Sequence, residues 1–408
     1  MSTSPAVAPR PTFRSRLDRF FFAEESPYGL ALLRICLPIA VLCDMIPRWF
    51  HAREIYSTDG APMPLWVTYE SSPLFPVFSP VAAVALHSVL LFMLIGSMVG
   101  WRTRTSRVAA TVLYTAFCLL DSLSTMTKYT VIASHVLLLL SVSRCGAVWS
   151  IDSLIAGRRM RALGFSDDEI RASRRSPVWP RRLAQFLIGL VYFGAAFTKM
   201  HTPAFFSGDQ VYHWLMTDYN SSNPLGHWMA MFPWVLVISS YLTVTWEILF
   251  VFLAWKGIGR IVCLAMGAGF HLMTMGMLGL YIFPMVCIPI YLAFFGERDY
   301  ESLFARLRRW RSTSRFADRV AARFDAVAAR ISVPDSAAAY TAPLYFLLLA
   351  AVAVGGVGLE HRLDPYGMRR PEGPYALEQI DRGYVEENLL APVKPMRDKD
   401  KFNVLTLG

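Results

Sequence analysis

The chain is poor in charge and lacks the motifs of soluble chemistry. Only 17 % of its 408 residues are charged, against about a quarter in a soluble globular domain. No HExxH, GxSxG or Walker-type glycine loop occurs, so zinc peptidase, serine hydrolase and P-loop nucleotide chemistry lack their usual residues. Six cysteines are present: Cys36, Cys43, Cys118, Cys145, Cys263 and Cys287. None forms a CxxC and all lie in or beside apolar runs, so they read as small packing residues rather than a redox pair or metal site. No short apolar core with a cleavage site follows Arg10, Arg14, Arg16 and Arg19, so no signal peptide is expected.

What the chain does have is apolar length. Hydrophobic residues make up 54 % of it, much of that in long runs. Such runs predict an all-α, polytopic membrane helix bundle, because helices satisfy their own backbone hydrogen bonds in lipid. The runs do not alternate, which excludes a membrane barrel. Nine helices are predicted, at about 28–47, 78–99, 107–126, 130–148, 183–201, 232–254, 260–278, 281–296 and 340–358.

The net charge of +10 does not point to nucleic acid, because lysine and arginine cluster between the apolar runs. With the N-terminus inside, Arg102, Arg104 and Arg107, the eight arginines from Arg158 to Arg182, Lys256 and Arg260, and the nine from Arg298 to Arg330 all fall on the inner side. The outer loops hold Arg48, Arg53, Lys128 and little else. This positive-inside pattern puts the C-terminus outside. The expected partners are the bilayer itself and anionic lipids at the basic inner loops; no protein partner is identifiable.

Five segments follow from this. Residues 1–27 form a cytoplasmic N-terminal segment, and 28–296 a membrane domain of about eight helices. Residues 297–339 form a basic amphipathic linker, 340–358 the last span, and 359–408 an extracytoplasmic tail rich in proline. In the linker Leu303, Leu307, Trp310, Phe316, Val320, Phe324, Val327 and Ile331 recur at helical spacing between arginines, as in a helix lying on an anionic leaflet or in a solvated linker. Ser166-Asp-Asp-Glu169 reads as a capping box that starts a short helix.

Ionisable groups inside the runs are the candidate site residues, since each is costly in lipid. They are Arg34 and Asp44 in the first run, His87, His135, Glu247 and His271, with Lys199 and His201 closing VYFGAAFTKMH at 191–201. Arg34 and Asp44 read as structural or as pathway residues. Glu247 can serve either role. His87 reads as an interhelical hydrogen-bonding group. Lys199 can snorkel to the interface, although it lies on the side where basic residues are scarce. His201, His213 and His227 lack metal-ligand spacing, and no metal is expected.

Four stretches in order resemble the membrane domain of vitamin K-dependent γ-glutamyl carboxylase and its bacterial relatives, the HTTM (horizontally transferred transmembrane) family. They are LALLRICLPIAVLCDM with IYSTDG, Trp149-Ser-Ile-Asp152, VYFGAAFTKMH with Gly208, and FHLMTMGMLGLYIFPMVCIPIYLAFF, together covering about 28–296. The resemblance implies an outward site in a bacterial inner membrane, with Lys199 at the position of the base and His271 matching a Phe-His-Leu motif. Thr198 stands where the carboxylase has a further lysine. Tyr129 stands where it has an active-site histidine, with His135 nearly two turns on. The implied cofactor is a reduced quinone, deprotonated by a neutral lysine, with O2 and CO2 as co-substrates of a carboxylase/epoxidase-like reaction. Gly194, Ala195 and Ala196 are expected to allow close helix approach around the lysine. The carboxylase's large outer substrate domain has no counterpart in 359–408, so propeptide-guided carboxylation is not expected. Two other classes remain open from the residues: a transporter or channel using Arg34, Asp44, Glu247 and His271, and a non-catalytic membrane scaffold.

Overall fold

A computed structural model describes residues 12–122, 128–217, 224–313, 318–319, 322–323 and 337–363. The chain divides into two units, Met1–Ala353 and Val354–Gly408. The bundle lies in the first. Of the second, the described part is the end of the last helix. The proposed tail beyond residue 363 lies outside the described residues, as do 314–317, 320–321 and 324–336 of the linker, including Phe316, Val320, Phe324, Val327 and Ile331.

The described elements are helical apart from one two-residue strand pair. In chain order they are α1 (Phe13–Phe22), α2 (Tyr28–Trp49), α3 (Ala52–Tyr56), α4 (Leu65–Thr68), α5 (Pro80–Val99), α6 (Thr103–Leu120), α7 (Tyr129–Val142), α8 (Ile151–Ala162) and α9 (Asp167–Ser173). There follow α10 (Trp179–Met200), α11 (Pro203–Phe206), α12 (Asp209–Met216), α13 (Pro224–Ala230), α14 (Pro233–Leu253), α15 (Gly257–Leu278), α16 (Ile282–Ile290), α17 (Glu297–Thr313) and α18 (Ala337–Leu363). Strands β1 (Glu24–Glu25) and β2 (Ser176–Pro177) pair antiparallel, Glu24 opposite Pro177.

Local chemistry sets the helix ends. Ser79 caps α5 through the Ala82 N–H, and Pro80 sits in its first turn, where a missing N–H costs nothing. Gly100 ends α5 in the left-handed region at φ +72°. Ser166 and Glu169 form the reciprocal capping box that opens α9.

Among the described residues six helices are long and apolar enough to cross a membrane: α2, α5, α10, α14, α15 and residues 341–363 of α18. The sequence pattern predicts nine spans, and a helix lies at each of the nine places. Three of them differ from that expectation. The first turns of α6 carry Arg104 and Arg107 and lower its apolarity. Helix α7 stops at Val142 because Ser143 is extended, and 143–150 form a loop rather than another helical turn. Helix α16 has nine residues and continues as a 3-10 turn over Tyr291–Phe294. The protein is a multi-pass integral membrane protein of the all-α class.

Packing pairs α10 with α14, α5 with both α2 and α6, α2 with α16, and α6 with α7. Gly189 makes the α10–α14 approach possible: a Cβ there would meet Val251 at 3.2 Å. Gly194, expected to act this way, faces open space instead, and Ala196 is the small residue of its group that packs, against Phe205 and Val244. Helix α18 is tied to the bundle by Tyr345, whose hydroxyl lies 2.6 Å from Ser106 Oγ and donates to Met93 Sδ at 3.0 Å. In α17 Leu303, Leu307 and Trp310 form the expected exposed apolar face.

Candidate functional site

Lys199 lies in the last turn of α10, nearly three turns beyond Gly189, on the helix that packs along α14. Its Nζ donates to both oxygens of Glu247 on α14, at 2.7 and 2.9 Å. Glu247 is 2 % exposed, and the Lys199 side chain 19 %. A carboxylate that deep carries a large desolvation cost unless paired. Lys199 is therefore not a snorkelling residue: its ammonium is held inside the protein by the one acid that needs it. The Phe205 ring centroid, 5.7 Å from Nζ, adds a cation–π contact.

Past the ion pair opens a cavity of 120 Å³. Its walls are largely apolar, Phe270, Met273 and Met277 among them, with Trp214 from α12 on one side. The chain after α10 turns at Gly208, held at φ +84° against Leu236 and Val237, and so brings α12 over the site. Lys199 shares the lining with four hydroxyl residues: Ser239, Ser240, Thr243 and Thr274. Ser239 and Ser240 both donate to Leu236 O at 2.9 Å, and Thr274 donates to His271 O at 2.9 Å. Those donors are spent on their own helices, so the oxygens can act only as acceptors towards the cavity.

His271 is fully buried on α15, and its position is next to the cavity residue Phe270 but not in the lining. Its Nε2 lies 2.7 Å from Tyr192 Oη, which lies 2.7 Å from Tyr291 Oη. Nδ1 has no partner among the described residues. Tyr192, from the same VYFGAAFTKMH stretch as Lys199, thus links α10, α15 and the 3-10 turn after α16. The structure does not join His271 to Lys199 directly.

Arg34 belongs to a separate, structural knot. Its guanidinium donates to Ser97 O and Met98 O at 2.8 Å and to Trp149 O at 2.7 Å, taking up carbonyls at the end of α5. The neighbouring residues of that stretch continue the tie. Ser150 caps α8 in a box with Ser153, while Asp152 accepts from Arg102 N–H at 3.0 Å and Thr103 N–H at 2.7 Å at the start of α6. A Cβ at Gly100 would strike Ser150 and Arg34. The early arginine and the Trp-Ser-Ile-Asp stretch are thus one device joining α2, α5, α6 and α8.

Asp44 pairs with Arg48 one turn on, at 3.1 Å, and accepts from Tyr129 Oη at 3.2 Å. Arg48 in turn reaches Asp121 at 2.6 Å. Arg48 reads as a loop residue in the sequence, but it lies inside α2; its i,i+4 spacing from Asp44 was the available signal. His87 is buried with Nε2 3.0 Å from Met45 O, which is the interhelical role expected of it. His135 is exposed, and its Nδ1 contacts Val131 O of its own helix at 2.7 Å. Arg34, Asp44, Glu247 and His271 therefore fall in four separate hydrogen-bonding groups, and none of them lines this cavity.

Among the described residues no group of three or more His, Cys, Asp or Glu side chains could hold a metal ion, and the six cysteines are free thiols. His201 bonds Phe197 O at 2.8 Å on its own helix. The residues that sequence reasoning missed are Tyr192, Tyr291 and Trp214. Their aromatic character is indistinguishable from core packing until the helices are assembled.

No curated protein and no solved structure matched the chain. The family model of the HTTM domain matches residues 22–299, which takes in α2 through α16, the Arg34 knot and the Lys199–Glu247 cavity. That match spans more than half of the chain, and the protein belongs to the HTTM domain family.

Proposed function

We propose that this protein is a membrane-embedded, quinone-linked enzyme of the carboxylase/epoxidase kind, with Lys199 as its base. The observation that carries the reading is the Lys199–Glu247 pair at the edge of an apolar cavity. A lysine base must first lose its own proton. Glu247, at hydrogen-bonding distance, is placed to take it and leave a neutral amine facing the cavity.

The cavity suits a reduced quinone on three counts. Its walls are apolar, three of its four hydroxyl oxygens (Ser239, Ser240 and Thr274) accept rather than donate, and a quinol's O–H groups are donors. Lys199 would accept the quinol proton, and the aromatic and methionine walls would keep water away. A bound quinol would supply the electrons for reduction of O2, the balanced overall change being quinol plus O2 to quinone epoxide plus water. CO2 is the further substrate if the oxidation drives carboxylation of an acceptor. His271, Tyr192 and Tyr291 would position the α10 and α15 walls. Asp44 and Tyr129, with Arg48, would hold α2 against α7.

The same reading takes all nine apolar helices as spans, with the N-terminus inside, the C-terminus outside and the Lys199 end of α10 facing outward. The test is oxygen uptake by the purified full chain in lipid nanodiscs supplied with a naphthohydroquinone. Turnover above the spontaneous rate is expected, with loss in Ser240→Phe, which fills the cavity. A wild-type rate equal to the spontaneous one would overturn the proposal.

A further inference from the structure

A second cavity, of 530 Å³, opens between the first turns of α6 and the last turn of α7. It shares no lining residue with the Lys199 cavity. Three arginines, Arg104, Arg107 and Arg144, line it against a single carboxylate, Asp152. That carboxylate is already committed to the Arg102 and Thr103 N–H groups and to the Thr103 hydroxyl at 2.6 Å. The basin therefore carries an uncompensated positive charge.

The arginines differ in a way that defines a site. Arg107 is 4 % exposed. Its Nε donates to Thr103 O at 3.0 Å, and its Nη1 is taken up by Leu140 O, Ser143 and Cys145. Among the described residues no bond engages Nη2 and no carboxylate pairs with this guanidinium. Arg144 is fixed by donating to Arg175 O at 2.9 Å and Ser173 O at 3.0 Å, neutral acceptors that leave its charge unmatched. Arg104 makes no hydrogen bond or ion pair with any described residue. A buried cation without an acid is costly, and it calls for an anion from outside the chain.

Beside the arginines, Val108 and Val142 line the same cavity and are 46 % and 57 % exposed. A small free anion gains nothing from such a rim, whereas a lipid brings acyl chains to it. Basic pockets between membrane helices bind anionic headgroups in this way. We propose that this basin binds the phosphate of an anionic phospholipid, with Arg104 and Arg107 on the phosphate oxygens and the acyl chains along Val108 and Val142. The site rests on the bundle being in a membrane and is independent of any chemistry at Lys199.

The test is native mass spectrometry of the full chain released from mixed micelles, with phosphatidylglycerol, phosphatidylcholine or inorganic phosphate added. One phosphatidylglycerol retained per chain, in preference to phosphatidylcholine, is the expected result. Arg104→Gln should weaken retention about fivefold, the factor for one basic residue near a headgroup. Arg107→Gln should do at least as much. Arg104 has no partner among the described residues, so its variant keeps the test valid even if Arg107→Gln fails to fold. Equal retention of the two lipids, unchanged retention in Arg104→Gln, or binding of inorganic phosphate without preference for the anionic lipid would each overturn the assignment.

Discussion

Glu247 takes both hydrogen bonds of the Lys199 ammonium at 2.7 and 2.9 Å while lying almost wholly out of reach of solvent, and Lys199 alone of the two lines the cavity. The pair is asymmetric: Glu247 is the buried anchor, and Lys199, half-buried, is the member that faces the cavity. That arrangement suits proton transfer into the protein and away from a bound molecule.

The first prediction concerns the stability of this pair. Lys199→Met leaves a carboxylate buried without its counter-ion and should cost about 3–5 kcal/mol. Adding Glu247→Leu removes the charge as well and should restore most of the loss. Thermal unfolding of both variants in one detergent checks this; a double variant no more stable than the single would contradict it.

Arg34 should act as a purely structural residue. Arg34→Leu leaves the carbonyls of Ser97, Met98 and Trp149 without their shared donor and should cost several times as much as Asp152→Ala. The latter removes a helix cap, about 1 kcal/mol. Comparing their melting temperatures tests the order. A larger effect for Asp152→Ala would refute the knot described for Arg34.

Asp299 gives a pH dependence outside the membrane segments. Burial pushes its carboxyl upward, but the two bonds from Arg260, at 2.9 and 3.0 Å, and the Gly296 N–H at 2.8 Å outweigh it and hold the group below its ordinary 3.8. A depressed folded-state value means this stability is fully present above the ordinary carboxylate range. It is lost as pH falls through the lowered value. Wild type should therefore melt above Asp299→Asn at pH 7, by a small margin since the group is partly solvated. The margin should shrink towards pH 3; a margin that grew on acidification would contradict the sign.

Much of the fold was legible because helices in lipid announce themselves by length. The apolar runs located α2, α5, α10, α14, α15 and α18 to within a few residues. Where a run ended in small or polar residues the sequence overstated the helix: 130–148 became α7, which stops at Val142 because Ser143 is extended. The site was half legible. Lys199 and Glu247 each stood out as charges in apolar runs, but 48 residues separate them and no periodicity pairs positions on different helices. The small residues near Lys199 misled for a related reason. Gly194 and Gly189 share a helix, and only the helix's rotation decides that Gly189 meets Val251.

Lys199→Arg tests the central claim most directly. Arginine keeps the ion pair with Glu247 and hence the fold, but a guanidinium does not give up its proton in a protein. Quinone epoxide formed from a naphthohydroquinone and O2 should be measured with wild type and Lys199→Arg, each as the full chain in nanodiscs and at matched melting temperature. Loss of a general base predicts a rate at least about 100-fold lower in the variant. An unchanged rate in a folded Lys199→Arg protein would show that Lys199 is a structural counter-ion to Glu247 and not a base.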